Sequence, residues 1–209
     1  MSRSIVLAFT LSLMGLSGCA SLSESQCLAN DWQTVGYSDG LKGKQSSALL
    51  KHQNACVKHG VVPDRDSYLV GWHNGIEQYC QPTNGFAAGE RGAGYGNVCP
   101  EHLQSAFFDA YTEGRQLYLA RAEIKNLERL IHQKEHHLTK VKDDLVDAET
   151  LLIEGDLTSR ERREVLEDTK ALAQEQGQLE TEIEDLKIEA AVKSDRLASL
   201  RHSLAYHGR

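Results

Sequence analysis

Past residue 119 the apolar side chains return at alternating steps of three and four. Ile124, Leu127, Ile131, Leu138, Val141, Leu145, Ala148 and Leu152 form one run, interrupted at Lys134; Val165, Leu172, Leu179, Ile183, Leu186, Ala190, Leu197, Leu200 and Leu204 form a second. Heptads sustained this long predict a coiled coil. Gly155 stops the first run, and Thr158-Ser-Arg-Glu161 has the spacing of a capping box that restarts the chain. Two arms, about 102–154 and 158–206, of matched length and joined by a tight turn, predict an antiparallel hairpin about 75 Å long at 1.5 Å per residue. A single unbroken helix is the competing reading, and Gly177 is a soft point in the second arm.

Before Pro100 the pattern is different. Twelve of the seventeen glycines lie between Gly36 and Gly114, with all three prolines and most of the aromatic residues. A small residue, three others and a glycine recur as Gly36–Gly40, Gly71–Gly75, Ala88–Gly92 and Ala110–Gly114, and an aromatic (Tyr37, Trp72, Tyr111) follows the first small residue in three copies. Residues four apart share a helical face, so each copy clears a strip where another backbone can approach. Glycine within a helix costs roughly 1 kcal/mol against alanine, which close packing must offset. The uneven spacing indicates a recurring packing device rather than a solenoid. Short helices are expected over 31–44, from Ser46 or Ser47 to about Gly60, and from Pro63-Asp64 to Cys80, with a turn at 81–85 and a mixed stretch over 86–98. Nothing alternates with period two, so no sheet is expected.

Charge and cysteines place the chain. The formal charge of −7 comes from the second half: residues 1–100 carry seven basic and seven acidic side chains, residues 101–209 sixteen and twenty-three. That excludes nucleic acid as a partner, since binding phosphates needs a basic patch. It also argues against the hairpin lying on anionic lipid. Arg3 and the apolar stretch Ile5–Met14 read as a targeting segment over 1–18, too short to span a bilayer. Leu16-Ser-Gly-Cys19 resembles the lipobox of bacterial lipoproteins. That resemblance implies that Cys19 becomes the acylated N-terminus, and Ala20 after it favours the outer membrane. Several acyl chains would anchor the chain stably, and residues 19–26 would tether the head to the membrane. Cys27, Cys56, Cys80 and Cys99 then remain, an even number in an oxidising compartment, which predicts two disulfides. Of the three connectivities, Cys27–Cys56 with Cys80–Cys99 is favoured if 28–43 and 47–59 are antiparallel helices; the others stay open.

Cys27 to Trp32, Gly36–Gly40, His52 to Cys56, Pro63-Asp64 with Tyr68, Gly71 to Cys80 and Asn84-Gly85-Phe86 to Cys99-Pro100 together resemble a family of Gram-negative bacterial lipoproteins catalogued as domain of unknown function 2799. The resemblance covers about residues 19–118. It implies a lipoprotein, brings no reaction with it, and does not need the acidic C-terminal half.

Candidate chemistry is sparse. His52, Cys56 and His59 have a spacing that could hold zinc, but Cys56 is better read as half of a disulfide. His132 and His136 fall on the outer face of the first arm and read as solvated. Asp31, Asp39, Asp64, Asp66 and Glu77 offer carboxylates, yet no spacing singles out the pair that glycoside chemistry needs; Asp31 and Asp64 read as helix caps. No phosphate loop, nucleophile elbow or metalloprotease motif is present. No enzyme activity, cofactor or metal is therefore expected. Trp32, Tyr37, Tyr68 and Trp72 are a possible binding surface for glycan, though aromatics beside glycines are more often core.

The expected protein is all-α. A disulfide-braced, glycine- and aromatic-rich head over 27–118 precedes a coiled-coil hairpin over 119–209 that turns near 155–158. The expected role is structural: an outer-membrane lipoprotein whose periplasmic hairpin meets another envelope protein. A peptidoglycan- or ligand-binding module using the head aromatics is the alternative, and an enzyme without a familiar motif the third reading.

Overall fold

The computed structural model describes residues 22–207, so the targeting segment and Cys19 lie outside the described residues. Within that span seven α-helices occur in order: α1 Glu24–Ala29, α2 Trp32–Leu41, α3 Ala48–Cys56, α4 Arg65–Tyr79, α5 Pro82–Glu90, α6 Glu101–Glu154 and α7 Ser159–His207, with a 3₁₀ turn Val57–His59 after α3. No strand forms among the described residues. The chain divides into two compact units, one comprising the residues up to Cys80 with Gly96–Pro100, the other Gln81–Tyr95 with the residues from Glu101 onward.

Local chemistry sets the helix ends. Ser23 and Gln26 close a capping box on α1. The Asp31 carboxylate accepts from Thr34 N at 3.0 Å, and that of Asp64 from Asp66 N and Ser67 N at 3.0 and 3.1 Å, so both aspartates are caps, as their positions predict. The expected turn at 81–85 is instead the start of α5: Pro82 sits at the first helical position, where its missing N–H is no loss. α2 ends at Leu41, three residues short of its expected end, and the chain then passes through Gly43 at φ +65°.

In the first unit α2 and α4 cross through their glycines. A Cβ on Gly36 would stand 2.0 Å from the Tyr68 carbonyl oxygen, and one on Gly71 1.9 Å from that of Gln33. Gly40 and Gly75 meet the opposite backbone one turn further on. Leu22, Cys27, Trp32, Cys56 and Tyr68 form the core beside this crossing, with Val35, Leu49, Val61, Leu69 and Trp72 packed against it. The disulfides Cys27–Cys56 and Cys80–Cys99 brace it, with Cα separations of 5.4 and 5.6 Å. The favoured connectivity is the one observed.

The second unit repeats the device. Gly85 lies against the Phe107 carbonyl, Gly89 against that of Tyr111, and Gly114 against that of Phe86. The glycines at this crossing are thus Gly85 and Gly89, one register away from the expected Ala88–Gly92 pair. Ala88 is buried, and Gly92 at φ +72° is the left-handed residue after α5. With that correction the two pairs align residue by residue. Gly36, Gly40 and Gly43 answer Gly85, Gly89 and Gly92; Tyr68, Gly71, Trp72, Gly75 and Tyr79 answer Phe107, Ala110, Tyr111, Gly114 and Tyr118. The closing contacts repeat too. A side chain on Gly43 would enter the Tyr79 ring and one on Gly92 the Tyr118 ring. Trp72 Nε1 donates to Lys44 O at 2.7 Å, and the Tyr111 hydroxyl to Ala93 O at 2.8 Å. The packing device is therefore a duplicated helix pair.

α6 runs unbroken for 54 residues through this second pair and on into the first arm of the hairpin. All the heptad positions of the two apolar runs are buried or half-buried, with Val141, Leu179, Ile183 and Leu197 the most enclosed. Lys134 keeps its place in the seam by reaching Glu182 on the opposite arm. Lys142–Glu180, Lys187–Glu135 and Lys193–Glu123, at 2.8, 2.8 and 2.9 Å, flank the seam and match the antiparallel register. Each exposed pair contributes well under about 1 kcal/mol, so the seam holds the arms and the pairs tune their alignment. α6 ends at Glu154, before Gly155. The Thr158 hydroxyl accepts from Glu161 N at 3.3 Å while the Glu161 carboxylate accepts from Thr158 N at 2.8 Å, which completes the predicted capping box.

Candidate functional site

Three polar side chains of the first unit, Lys44, His52 and Tyr68, converge on one carboxylate. Asp39 lies within the Gly36–Gly40 strip, and the α2/α4 crossing buries it to 3 % exposure. Its Oδ1 accepts from Lys44 Nζ at 2.8 Å. Its Oδ2 faces His52 Nε2 at 2.6 Å and accepts from the Tyr68 hydroxyl at 3.0 Å. Burial alone would raise the Asp39 pKa, but the hydrogen bonds from His52, Lys44 and Tyr68, with the charge on His52, outweigh it and hold the carboxyl at about 2. Burial, then the neighbouring carboxylate, pushes the Tyr68 phenol well above its ordinary value. An ionised Asp39 can only accept, so His52 Nε2 carries a proton. The other ring nitrogen, Nδ1, is buried without a hydrogen-bond partner, on a side chain only 3 % exposed.

Three elements deliver this cluster. α2 carries Asp39, α4 carries Tyr68, and α3 is fastened beside them by the Cys27–Cys56 bridge one turn after His52. Lys44 comes from the loop that the left-handed Gly43 turns back toward α2, where Lys44 N also donates to Asp39 O at 3.0 Å. A shallow cavity of ≈ 290 Å³ opens next to it, lined by Lys44, Gln45, Ser47, Ala48, Lys51 and His52.

The matching positions of the second unit carry none of this. Asp39 aligns with Ala88, Tyr68 with Phe107 and Lys44 with Ala93. Ala88 and Phe107 are buried, 3 % and 0 % exposed. The same crossing thus packs with an apolar pair in place of the polar cluster.

Other candidate residues fall elsewhere. Trp32 and Tyr68, proposed from sequence as part of a binding surface, are 2 % and 0 % exposed and belong to the core. Tyr37 is exposed and Trp72 half-buried with its indole N–H bound to Lys44 O, so the four do not make one surface. Cys56 is spent in its disulfide and cannot act as a thiolate ligand; His52 faces Asp39, and His59 Nδ1 lies 3.7 Å from Glu24. His132 and His136 are exposed along the outer side of α6, away from the seam, as their register predicts. No sequence spacing pairs Asp39 with His52, thirteen residues apart. The available signal was an aspartate embedded in a glycine strip, a position where an ordinary solvated carboxylate has no place.

Fold and site define an all-helical protein of two glycine-packed helix pairs. The first holds a buried Asp–His–Tyr–Lys cluster, and the second is extended into a coiled-coil hairpin. Residues 31–116 match the family described as Protein of unknown function (DUF2799), the family that the order of cysteines, glycines and aromatics resembles. That span opens at the Asp31 cap and closes beyond Gly114, so it takes in both helix pairs and leaves most of the hairpin outside. No curated protein and no solved structure matches the chain.

Proposed function

We propose that this is a non-enzymatic lipoprotein of the bacterial outer membrane, anchored through Cys19, that uses its hairpin to hold a second envelope protein. The observation that carries the reading is the apolar surface at the turn end of the hairpin. Val146, Ile153 and Leu166 are 59 %, 81 % and 43 % exposed, although the seam has already buried the residues that hold the arms together. Val146 and Ile153 are seven apart and so share one face of α6. Contiguous exposed apolar surface marks interaction sites more often than chance surface, and these three side chains flank the turn in sequence. The excess acidic charge of residues 101–209 complements a partner whose apolar pocket has a basic rim. Continuity of α6 fixes the first arm to the α5/α6 pair without a hinge.

The Leu-Ser-Gly-Cys19 ending of the targeting segment supports the anchor. Labelling cells with a fatty-acid analogue should mark the parent and leave Cys19→Ala unmarked. Equal label in both overturns the anchor. Photo-crosslinkers placed at Val146 and Ile153 in cells should trap one discrete protein. With the crosslinker at Val146, Ile153→Asp together with Leu166→Asp should abolish that crosslink while the protein still reaches its membrane. A chain lacking residues 121–206 that keeps every crosslinked partner would refute the hairpin reading.

A further inference from the structure

We propose that the cavity beside His52 is a binding site for a small anionic group, a carboxylate or phosphate, held by Lys44, Lys51, Ser47 and His52 Nδ1. This inference is independent of the hairpin and of its partner. It starts from the unpartnered nitrogen. A buried polar atom without a hydrogen bond is destabilising, because it has lost its water and gained no partner. Here the cost falls on a side chain that the Cys27–Cys56 disulfide and the Asp39 carboxylate hold in place. The fold does not require the arrangement, since the second helix pair packs the equivalent crossing with Ala88 and Phe107. A polar cluster that packing does not demand, ending on an unsatisfied nitrogen beside a cavity, has the layout of a site.

The lining selects the sign of the ligand. It contains two lysines, a serine and a glutamine, and no acidic side chain. The Asp39 carboxylate behind it is already matched by Lys44, His52 and Tyr68. Lys44 gives one of its three N–H donors to Asp39, and its side chain is 47 % exposed. Ser47 stands at the N-cap of α3, yet its hydroxyl makes no capping bond. The first amides of α3 are not spare donors: Ala48, Leu49 and Leu50 N–H go to the carbonyls of Gln45, Ser46 and Ser47. The helix therefore adds the positive end of its dipole and no free N–H. An imidazole that donates from Nε2 to Asp39 and from Nδ1 to a bound anion sits between two negative groups. The titratable groups in contact with it are Asp39 on α2 and Tyr68 on α4, and Lys44 and Lys51 line the cavity beside it. An anion at Nδ1 thus calls for a proton on that nitrogen too, on a ring that Asp39 has oriented in advance.

The test uses the mature full-length chain and three probes: inorganic phosphate, acetate, and vesicles containing phosphatidylglycerol. The His52 ring signals, followed by nuclear magnetic resonance, should shift saturably with at least one probe at about 1 mM or below. Lys51→Ala, which removes an exposed side chain and leaves the core intact, should weaken that binding about ten-fold. His52→Asn should abolish it, and Lys170→Ala on the hairpin should leave it unchanged. A response to free phosphate or acetate identifies a soluble ligand, and a response to vesicles alone identifies a lipid headgroup. No saturable shift with any of the three, or binding that Lys51→Ala leaves unaltered, overturns the proposal.

Discussion

Gly75 stands so close to Gly40 that a Cβ on it would lie 3.1 Å from the Gly40 Cα and 2.3 Å from the Tyr37 carbonyl oxygen. Backbone meets backbone across α2 and α4, and no side chain larger than hydrogen fits at the contact. Gly71→Ala should therefore force the helices apart and destabilise the first unit by about 3 kcal/mol, at the upper end for overpacking. Gly177 has nothing within 4 Å and lies inside α7. Gly177→Ala should raise stability by up to about 1 kcal/mol through helix propensity alone. Urea unfolding followed by circular dichroism separates the two. A neutral Gly71→Ala would mean that the crossing is looser than described.

The Asp39 cluster should respond unequally to loss of its members. Tyr68→Phe removes one hydrogen bond to a charged acceptor and copies the residue at the matching position, Phe107. Its cost should be about 1–2 kcal/mol. Asp39→Ala strips Tyr68, His52 and Lys44 of their common acceptor and should cost about 3 kcal/mol or more. The ranking from chemical denaturation is the check, and equal losses would show that the three donors do not act through one carboxylate.

Acid should unfold the first unit through the same residue. The folded-state pKa of Asp39 is about 2, below its ordinary value of 3.8, so the native state favours the ionised form. The stability this contributes is fully present above about pH 4 to 5 and is lost as pH falls toward about 2; it amounts to about 2 kcal/mol. Asp39→Asn should flatten that part of the pH–stability curve. An unchanged acid limb would place the sensitivity elsewhere.

The bridges Cys27–Cys56 and Cys80–Cys99 should show in the non-reduced mature protein as a mass deficit of about four hydrogens, two for each bridge. Peptide mapping should return these two pairs. Removing either bridge should cost about 2–5 kcal/mol. The Cys27–Cys56 variant should also loosen the His52 ring, because that bridge holds α3 against the Asp39 carboxylate.

Val141 and Leu179 are 2 % and 6 % exposed in the hairpin seam. Val141→Asp places a carboxylate there without a partner, at a cost of several kcal/mol unless the arms separate. Far-ultraviolet circular dichroism should then lose helix while both disulfides persist. Full helicity at ambient temperature would show that the α5/α6 pair alone holds the first arm straight.

Periodicity predicted the hairpin, with a single unbroken helix as its competitor. A three–four repeat of Leu, Ile and Val specifies a seam whichever residues face it, and Gly155 with Thr158-Ser-Arg-Glu161 fixes where the chain turns, because these signals act within a few residues of one another. The caps at Asp31 and Asp64 were legible for the same reason. Four cysteines gave the number of bridges and a favoured pairing, which the approach of α1 and α3 realised. The glycine strips showed that helices meet closely, but not which strips meet. The Gly85–Gly89 register became visible only where α5 lies against Phe107 and Tyr111, since sequence spacing alone also allows Ala88–Gly92. Tertiary structure alone decided the candidate site. Asp39, Lys44, His52 and Tyr68 come from three helices and a loop, and each has an ordinary reading by itself. Only burial at the α2/α4 crossing, where the carboxylate must find donors within reach, joins them into one network.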